Sequence, residues 1–569
     1  NLYVAVHAFD SNPSAIRAPI SKRDAVSQDD FVSIWLDTYD DRRRAYIFRF
    51  NPLGVQEDGI FTPAETDNLS WDGILESKGN ITPDGYIVEI KIPFKTLRYQ
   101  INKEKTWGLH LFRWIARKAE RSTWAKTSLA NANLFSQMGK LEGIDDIYSG
   151  RTLDIIPTVT LSNTGERELQ NAVPVLNTVN RVDAGLTVNY SITPNLTLSA
   201  TVNPDFSQVE NDVPQVSVNQ RFPLFFPERR PFFLEGAEVF RGVYSTTPRI
   251  IDTRQIVDPD WGIKLTGKFG KNSIGFLSAS DRAPGLRVAP TDVNFGNNAQ
   301  FNIVRYSRDI FKNSSIGGSF TDRHFADSSN TVGTLDGRFQ IDKSNLFAFQ
   351  ASYSRTKDLN SVTRNGQAIY AIYNYNSLKW ENGVSYTNIS KDFSAQSGFI
   401  RRSGINRIYA YSYRIVRPKE KSWWTRFRPF VVTTGTFDTQ KNLDEAFLDP
   451  GFSFDLTNRL WVYTYFSIRR DFFLGRGFTT KAFNANFDLN TFKKFSIANN
   501  FEIGTGVNFD VSRPEIGNLL NNEMTLKLRP ISKINSEFIW LKSSLKSRTN
   551  DDKLFSQDIF RNRTFYQFN

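Results

Sequence analysis

Two patterns of apolar and polar alternation divide the chain. Up to about residue 148 the alternating runs are short and closely spaced. FVSIWLD sets Val32, Ile34 and Leu36 on one face, and RAYIFRFN does the same for Tyr46, Phe48 and Phe50. GYIVEIKIPF sets Tyr86, Val88, Ile90 and Ile92 against Glu89 and Lys91, and TWGLHLFRWIAR continues the pattern. Turn residues (NPLG, TPDG) separate the runs. Period two with frequent turns predicts an antiparallel β-sandwich, one face of each strand buried.

From residue 149 onward the runs lengthen to about ten residues, which a tilted strand needs to cross a bilayer. NLTLSATVN sets Leu196, Leu198, Ala200 and Val202 against Thr197, Ser199, Thr201 and Asn203. NLFAFQASYS sets Phe347, Phe349, Ala351 and Tyr353 against Ala348, Gln350, Ser352 and Ser354. One face suits lipid and the other water. A soluble sandwich alternates in the same way, so the connections decide. Short ones are expected at 193–195, 270–272, 311–313, 342–344, 457–459, 491–494 and 531–533. Longer ones are expected near 163–179, 204–260, 283–298, 323–330, 356–367, 437–445, 512–519 and 548–562. Short turns alternating with longer loops is the outer-membrane barrel pattern.

The expected fold class is therefore all-β: a sandwich over 1–148, then a large antiparallel transmembrane barrel over 149–569 of about 20 or more strands. Assignments within 383–418 stay open. The chain opens on NLYVAVHAFD with no Met and closes on RTFYQFN, which reads as the start of another strand, so a fragment trimmed at both ends is expected. The turn at 193–195 makes the first long strand, near 151–162, rise from the short-turn side. The domain before it is expected in the periplasm. Trp423 and Trp424, at a short link, read as interfacial girdle aromatics.

Composition narrows the chemistry. No apolar run reaches about 18 residues, so no membrane-spanning helix is expected. Cysteine is absent, which excludes disulfides, thiolate metal sites and cysteine nucleophiles. Histidine is confined to His7, His110 and His324, none in a catalytic or metal-binding motif. The net charge is +12. The excess lies after residue 150 and is scattered, which fits loops, a polar lumen or anionic headgroups rather than nucleic acid.

The segment RFPLFFPERRPFFLEGAEVF, residues 221–240, stands apart. Phe222, Phe225, Phe226, Phe232 and Phe233 ask for burial, worth about 2 kcal/mol each when complete. Pro223, Pro227 and Pro231 recur every fourth residue and forbid a regular helix. Arg221, Arg229 and Arg230 balance Glu228, Glu235 and Glu238. A stiff, charge-neutral, apolar segment inside a very long connection suggests that 204–260 folds inward as a plug. Two other readings stay open, a catalytic carboxylate pair and an exposed loop for envelope protein partners.

Two stretches resemble known families. NPDFSQVENDVPQVSVNQRFPLFFPERRPFFLEGAEVF resembles the signature of a domain-of-unknown-function family numbered 5916, found in envelope proteins of Gram-negative bacteria. LYVAVHAFDSNPSAIRAPISKRDAVSQDDFVSIWLDTYDDRRRAYIFRFNPLGVQEDG, with GYIVEIKIPFKTLRY and WGLHLFRWIARKAE, resembles the family 9 carbohydrate-binding module. The second resemblance implies a sandwich that binds sugar, with relatives attached to glycan-degrading enzymes. Sugar modules need flat aromatic faces with polar neighbours. Trp35 and Trp71 are the candidates, ahead of Trp114 and Trp124, against the reading of each as a core or sheet-face residue. Related modules hold calcium, and Asp37, Asp40 and Asp41 offer carboxylates, but without the spacing of a calcium loop they read as a turn. No catalytic residue, metal ligand or cofactor is assigned. The expected protein is an outer-membrane barrel in glycan binding or envelope transport. A hydrolase of O-glycosyl bonds and a scaffold barrel are the alternatives.

Overall fold

The computed structural model describes residues 1–569 apart from 20–21, 63–68, 70, 101–105, 129–130, 132–133, 145–146, 148–150, 171–172, 207–211, 213–214, 312, 458, 491, 532, 567 and 569. The expected boundary near 148 and most of FSQVENDVP fall outside the described residues.

The first domain is a sandwich. A three-stranded sheet (Leu2–Phe9, Gly85–Ile92, Glu76–Thr82, in that order) packs on a sheet ordered Gln56–Phe61, Ala45–Phe50, Phe31–Asp37, Trp107–Ile115, Glu120–Thr123. Between them lie Val32, Ile34, Leu36, Tyr46, Phe48 and Phe50 from one side and Tyr86, Val88, Ile90 and Ile92 from the other. The alternation thus marks the core face of these strands. The expectation of one buried face per strand fails at the centre of the larger sheet. There Trp35, Ala45, Ile47 and Phe112 form a second cluster with Phe135. The 3-10 turn Leu134–Gln137 and the strand Gly139–Leu141, which pairs with Trp107–Ile115, cover that outer side.

Among the described residues the second unit is one sheet of twenty antiparallel strands, from Leu153–Gln170 to Lys553–Tyr566, each paired with the next in chain order. Its polarity is inverted relative to a soluble sheet. On Asn345–Lys357, Tyr353 is 57% exposed whereas Gln350 is 3% and Ser354 is 0% exposed. On Leu196–Val202, Thr197, Ser199 and Thr201 are buried and Val202 is exposed. Exposed Val304, Phe320, Leu335, Ile369, Val384, Ile408, Phe466 and Ile503 continue an apolar outer surface around the sheet. Alternation with the polar side buried is the arrangement of a transmembrane barrel.

The curl of the sheet is visible in what touches its inner face. The connection 203–258 meets Lys264 near one end of the sheet (through Phe232 and Glu235), then Gln350 (through Pro248), Asn374 (through Tyr244), Asp444 (through Arg221) and Gln557 (through Ser217) near the other. One compact segment reaches strands from Pro259–Phe269 to Lys553–Tyr566 only if the sheet wraps round it. Among the described residues no ladder joins the first strand to the last, so these two are the sheet's edges.

The connections differ from expectation at the far end. Residues 163–179 are ribbon, Leu153–Gln170 pairing with Val173–Thr193 throughout. The link near 323–330 shrinks to 326–327, and strand pairing resumes at Thr363, Ile516 and Lys553 inside segments expected to be loops. These stretches are rich in Thr, Asn and Ser. Above the lipid zone a ladder needs no apolar side chain, so apolar alternation ends before the pairing does. The three longest connections, 203–258, 282–298 and 390–404, all lie at this end. Strands Trp380–Ile389 and Ile405–Arg414 settle the open middle region, with Trp423 in the link before Trp424–Phe437.

Candidate functional site

The interior of the barrel is the candidate site, and residues 221–240 build it from the proline spacing upward. Pro223 and Pro227 hold an extended path. Pro231 then starts a single helical turn, Pro231–Leu234, where a proline is tolerated because the first N–H has no intrahelical partner. The turn puts Phe232 and Phe233 at 6% and 2% exposure against Leu277, Ala279, Phe301 and Ile303. The inner wall is therefore not polar throughout: one strip of it is apolar and receives the plug's phenylalanines. Gly236 follows at φ 69°, where a Cβ would lie 2.4 Å from the Thr266 hydroxyl. Only glycine allows the chain to turn this close to the wall.

Lys264, 2% exposed, donates to the carbonyls of Phe232 and Glu235, which fixes the turn against its strand. Its ammonium is buried, and the Glu235 carboxylate supplies nearby counter-charge.

The six charged plug residues do not form one cluster. Arg221 faces the wall, donating to Asp444 at 3.1 Å and to the Phe472 carbonyl at 2.9 Å, with Asp471 at 3.8 Å. Glu228 is an internal hub. It accepts from Arg230 at 2.7 and 2.8 Å, from Thr253 at 2.7 Å, and from the N–H groups of Arg229 and Arg230 at 3.0 Å. Arg230 also donates to the carbonyls of Ile256 and Thr253 and stacks on Phe233. Arg229 pairs with Asp212 at 3.7 Å.

Glu235 and Glu238 leave the plug altogether and bond to the first domain. Arg98 donates to Glu235 at 2.9 Å and to Thr266 at 3.0 Å, and Arg44 donates to Glu238 at 2.5 Å. The plug enters from the long-loop end and reaches the domain at the opposite mouth.

The domain sits on the short-turn rim. Arg43 pairs with Asp309 at 2.7 Å, Lys268 bridges Asp41 and Asp309, and Arg17 donates to the Asn490 carbonyl at 2.6 Å. Arg459 donates to Gln28 at 3.1 Å, and Arg529 lies 3.7 Å from Asp29. At the other mouth the connection 390–404 folds over the plug. The backbones of Arg249 and Phe399 form a β-bridge, the Asp252 N–H donates to the Ser397 carbonyl at 2.8 Å, and Ile250 packs with Phe393 and Ala395.

The tryptophans fall into different settings. Trp35 is 5% exposed, wedged between Phe61 and Phe112, and offers no stacking face. Trp71 is half-buried beside Tyr46 and lines a cavity of 310 Å³ together with Arg98, Glu235 and Glu238. Trp114 stacks near Phe31 and Arg459 at the barrel rim, and Trp124 is exposed. Asp37, Asp40 and Asp41 form a turn. Asp37 accepts the N–H groups of Tyr39 and Arg42, while Asp40 and Asp41 pair with Lys140 and Lys268. Elsewhere Asp24, Asp58 and Asp72 bring carboxylate oxygens within 4.8 Å of one another, with Arg23 on Asp58 at 2.6 Å and on Asp72 at 3.3 Å as their cation.

The carboxylates of the plug suit structure better than catalysis. Burial pushes Glu228 upward, but the bonds and charge of Arg230 outweigh it, so the net shift is downward. Burial acts likewise on Glu235, and the charges of Arg98 and Lys264 bring it below its usual value. A glycosidase general acid needs the opposite shift.

Arg44, Arg98, Lys264 and Lys268 were not singled out from the sequence. Lys264 carried a signal, standing between outward Ile263 and Leu265 on a strand whose alternate positions face in. The two domain arginines carried none.

Residues 159–245 match the family model described as a domain of unknown function (DUF5916). The match runs from the first hairpin of the barrel through about three quarters of the plug, past its tip. No curated protein matches the chain. Among solved structures, the Pseudomonas aeruginosa protein OccK11 (OpdR) is 9% identical, covering 85% of this chain and 95% of its own, with a TM-score of 0.26. The ferric-catecholate import receptor Fiu from E. coli is 7% identical, covering 94% and 81%, with a TM-score of 0.31. The P pilus usher (PapC) translocation pore is 8% identical, covering 94% and 98%, with a TM-score of 0.24. These values are too low to transfer a function, which has to rest on this chain's own geometry.

The bond between Arg98 and Glu235 is testable by a double-mutant cycle. Arg98→Ala or Glu235→Ala alone should each destabilise the docked state by about 1–3 kcal/mol, and the two together by clearly less than their sum. Additive losses in chemical denaturation of the detergent-solubilised protein would show that the pair is not coupled.

Proposed function

We propose that the protein is an outer-membrane barrel serving envelope transport. In this reading its lumen is stoppered by residues 203–258, and the stopper is latched by a periplasmic first domain. The observation that carries it is the pair of bonds from the plug's tip, Arg98 to Glu235 and Arg44 to Glu238, which join a segment entering at one mouth to a domain seated on the other. The apolar outer surface supports a bilayer location. The short turns under the domain support a periplasmic side, since outer-membrane barrels put their short turns there. A stopper held mainly by ion pairs and hydrogen bonds at its tip can be released without unfolding the wall, because such bonds exchange for water at modest net cost. Movement of the first domain would withdraw Arg44 and Arg98 together and leave Glu235 and Glu238 facing an open mouth.

Planar-bilayer recording tests this reading. The whole chain should be closed, replacement of 206–256 by a short Gly-Ser link should give stable conductance, and Arg44→Ala with Arg98→Ala should give intermittent opening. A replacement variant that keeps heat-modifiable gel migration yet passes no more current than the whole chain contradicts the reading and favours a scaffold role.

A carbohydrate ligand is the second reading, favoured by the half-buried Trp71 beside the 310 Å³ cavity. An indole face with charged and hydroxyl neighbours is a sugar-recognition arrangement. Saturable change in tryptophan fluorescence on adding oligosaccharides, abolished in Trp71→Ala, is the expected result. A response of equal size in that variant would rule Trp71 out.

A further inference from the structure

Among the described residues the plug covers one side of the lumen. Its deep contacts are with strands from Pro259–Phe269 to Thr363–Asn376, through Phe232, Phe233, Tyr244 and Pro248. Its hydrogen bonds to the strands from Leu443–Leu456 onward fall at the long-loop end: Arg221 to Asp444 and Phe472, Asn219 to Val507, Ser217 to Gln557.

Below that level the inner wall carries two aromatic ladders. Tyr409, Tyr411 and Tyr413 stand on Ile405–Arg414 with ring centroids 6.1 and 5.8 Å apart. Trp461, Tyr463 and Tyr465 stand on Leu460–Phe473, 5.8 and 5.6 Å apart. Phe430, on Trp424–Phe437, joins them, 4.9 Å from Tyr413 and stacked on Tyr463 at 4.7 Å and 10°. The strand between has Gly451 at this level, where a Cβ would lie 2.6 Å from the Phe430 ring and from the Tyr465 Cβ, so glycine is what lets the rings meet. Contacts fix the direction. Tyr411 donates at 3.1 Å to Asn374, which itself donates to Tyr244 of the plug at 2.6 Å. Asp471, an even number of positions from Tyr465, lies beside Arg221 of the plug, whereas Ile408 and Phe466 are exposed on the outer face.

Apart from Phe430 the rings of the ladders are half-buried, each keeping part of its surface toward the lumen. Unmet polar groups adjoin them. Asn484 stands opposite Tyr465 and is 8% exposed, and its Nδ2 has no acceptor. The Oδ1 of Asp449 is likewise buried without a donor. Arg426 and Arg428, which share the inner face with Phe430, have carboxylate partners in Asp455 and Glu381, so they offer a ligand little net charge. Along the strand Tyr465 leads through Ser467 to Arg469, which lines a cavity of 270 Å³ with Glu502 and Asn521 beside the start of the plug.

We propose that the double ladder binds a neutral oligosaccharide chain. Flat rings cover the apolar faces of sugar rings, while a free amide donor and a free carboxylate acceptor match hydroxyls, which both donate and accept. A lipid chain would leave Asn484 and Asp449 unpaired. Rings in series suit a ligand of repeating units. The inference deepens the transport reading by naming a class of cargo, and rests on it for the barrel wall. Binding is read without any current and away from Trp71, so its failure is distinct from failure of either reading above.

Calorimetric titration tests it, in a detergent without a sugar headgroup, on the whole chain and on its Trp71→Ala variant. The probes are cellohexaose, maltohexaose, xylohexaose, mannohexaose and chitohexaose. At least one should bind saturably to both proteins. Its affinity should fall at least tenfold in Trp461→Ala and separately in Tyr465→Ala, and stay within about threefold in Tyr465→Phe, which keeps the ring. Trp540→Ala should leave it unchanged, since Trp540 stacks on the outward, 75% exposed Phe560. Heat-modifiable gel migration confirms that each variant is folded. No saturable heat with any of the five overturns the proposal. Binding that vanishes in Trp71→Ala assigns the sugar to the first domain and overturns it too, as does saturable binding of indole with none of any hexaose.

Discussion

The constraint on which the structure depends is the inversion of a sheet that is apolar outside. Once Val304, Phe320, Leu335 and Tyr353 face outward, the alternate positions must face in, and several of them carry charge. Lys264, Arg305 and Asp336 are almost wholly buried. A buried charge left alone costs several kcal/mol. Arg305 and Asp336 solve this within the wall, two strands apart, with a bidentate pair. Among the described residues Lys264 has no such partner on the wall, and it takes the plug's carbonyls instead. The plug is thus part of the wall's electrostatic solution, not a loose filler.

The same logic extends to the first domain. Its sandwich core is self-sufficient, with Phe48, Tyr86 and Trp107 fully buried. The domain's basic surface finds acids on the barrel rim and the plug tip. Arg43 meets Asp309, Arg44 meets Glu238, and Arg98 meets Glu235. Phenylalanine packing on Leu277 and Ile303 anchors the plug just before its tip, and ion pairs hold the tip itself and, farther back, Arg221. Apolar contacts set where the segment sits. Charged contacts, more sensitive to salt and to ligands, set whether its tip stays docked.

Much of this was legible in single stretches of sequence. The alternations in NLTLSATVN and NLFAFQASYS give the correct inward and outward faces, and the short turns fix chain direction. The density of Phe, Pro and paired charge in 221–240 marks an inward segment, because no exposed loop keeps so many phenylalanines in water. The expected ban on helix there was too strong, since a proline at the first position permits the single turn Pro231–Leu234. Loop lengths at the far end were overestimated because ladder pairing in water leaves no apolar trace. Trp35 was ambiguous, because a sheet covered on both faces reads locally like one covered on a single face. The latch was not legible at all. Arg98 and Glu235 are 137 residues apart, and nothing local to either announces the other.

The most direct test of the inverted barrel uses the absence of native cysteine. Spin labels are placed singly on cysteines introduced from Phe347 to Ser354, with the protein in lipid vesicles, and collisions with dissolved oxygen are measured by power saturation. Oxygen concentrates in hydrocarbon, so accessibility should alternate with a period of two residues. Maxima are expected at Phe347, Phe349, Ala351 and Tyr353, with Ala348, Gln350, Ser352 and Ser354 shielded. Maxima at the second set, or no alternation at all, would contradict a sheet that turns its apolar face to lipid.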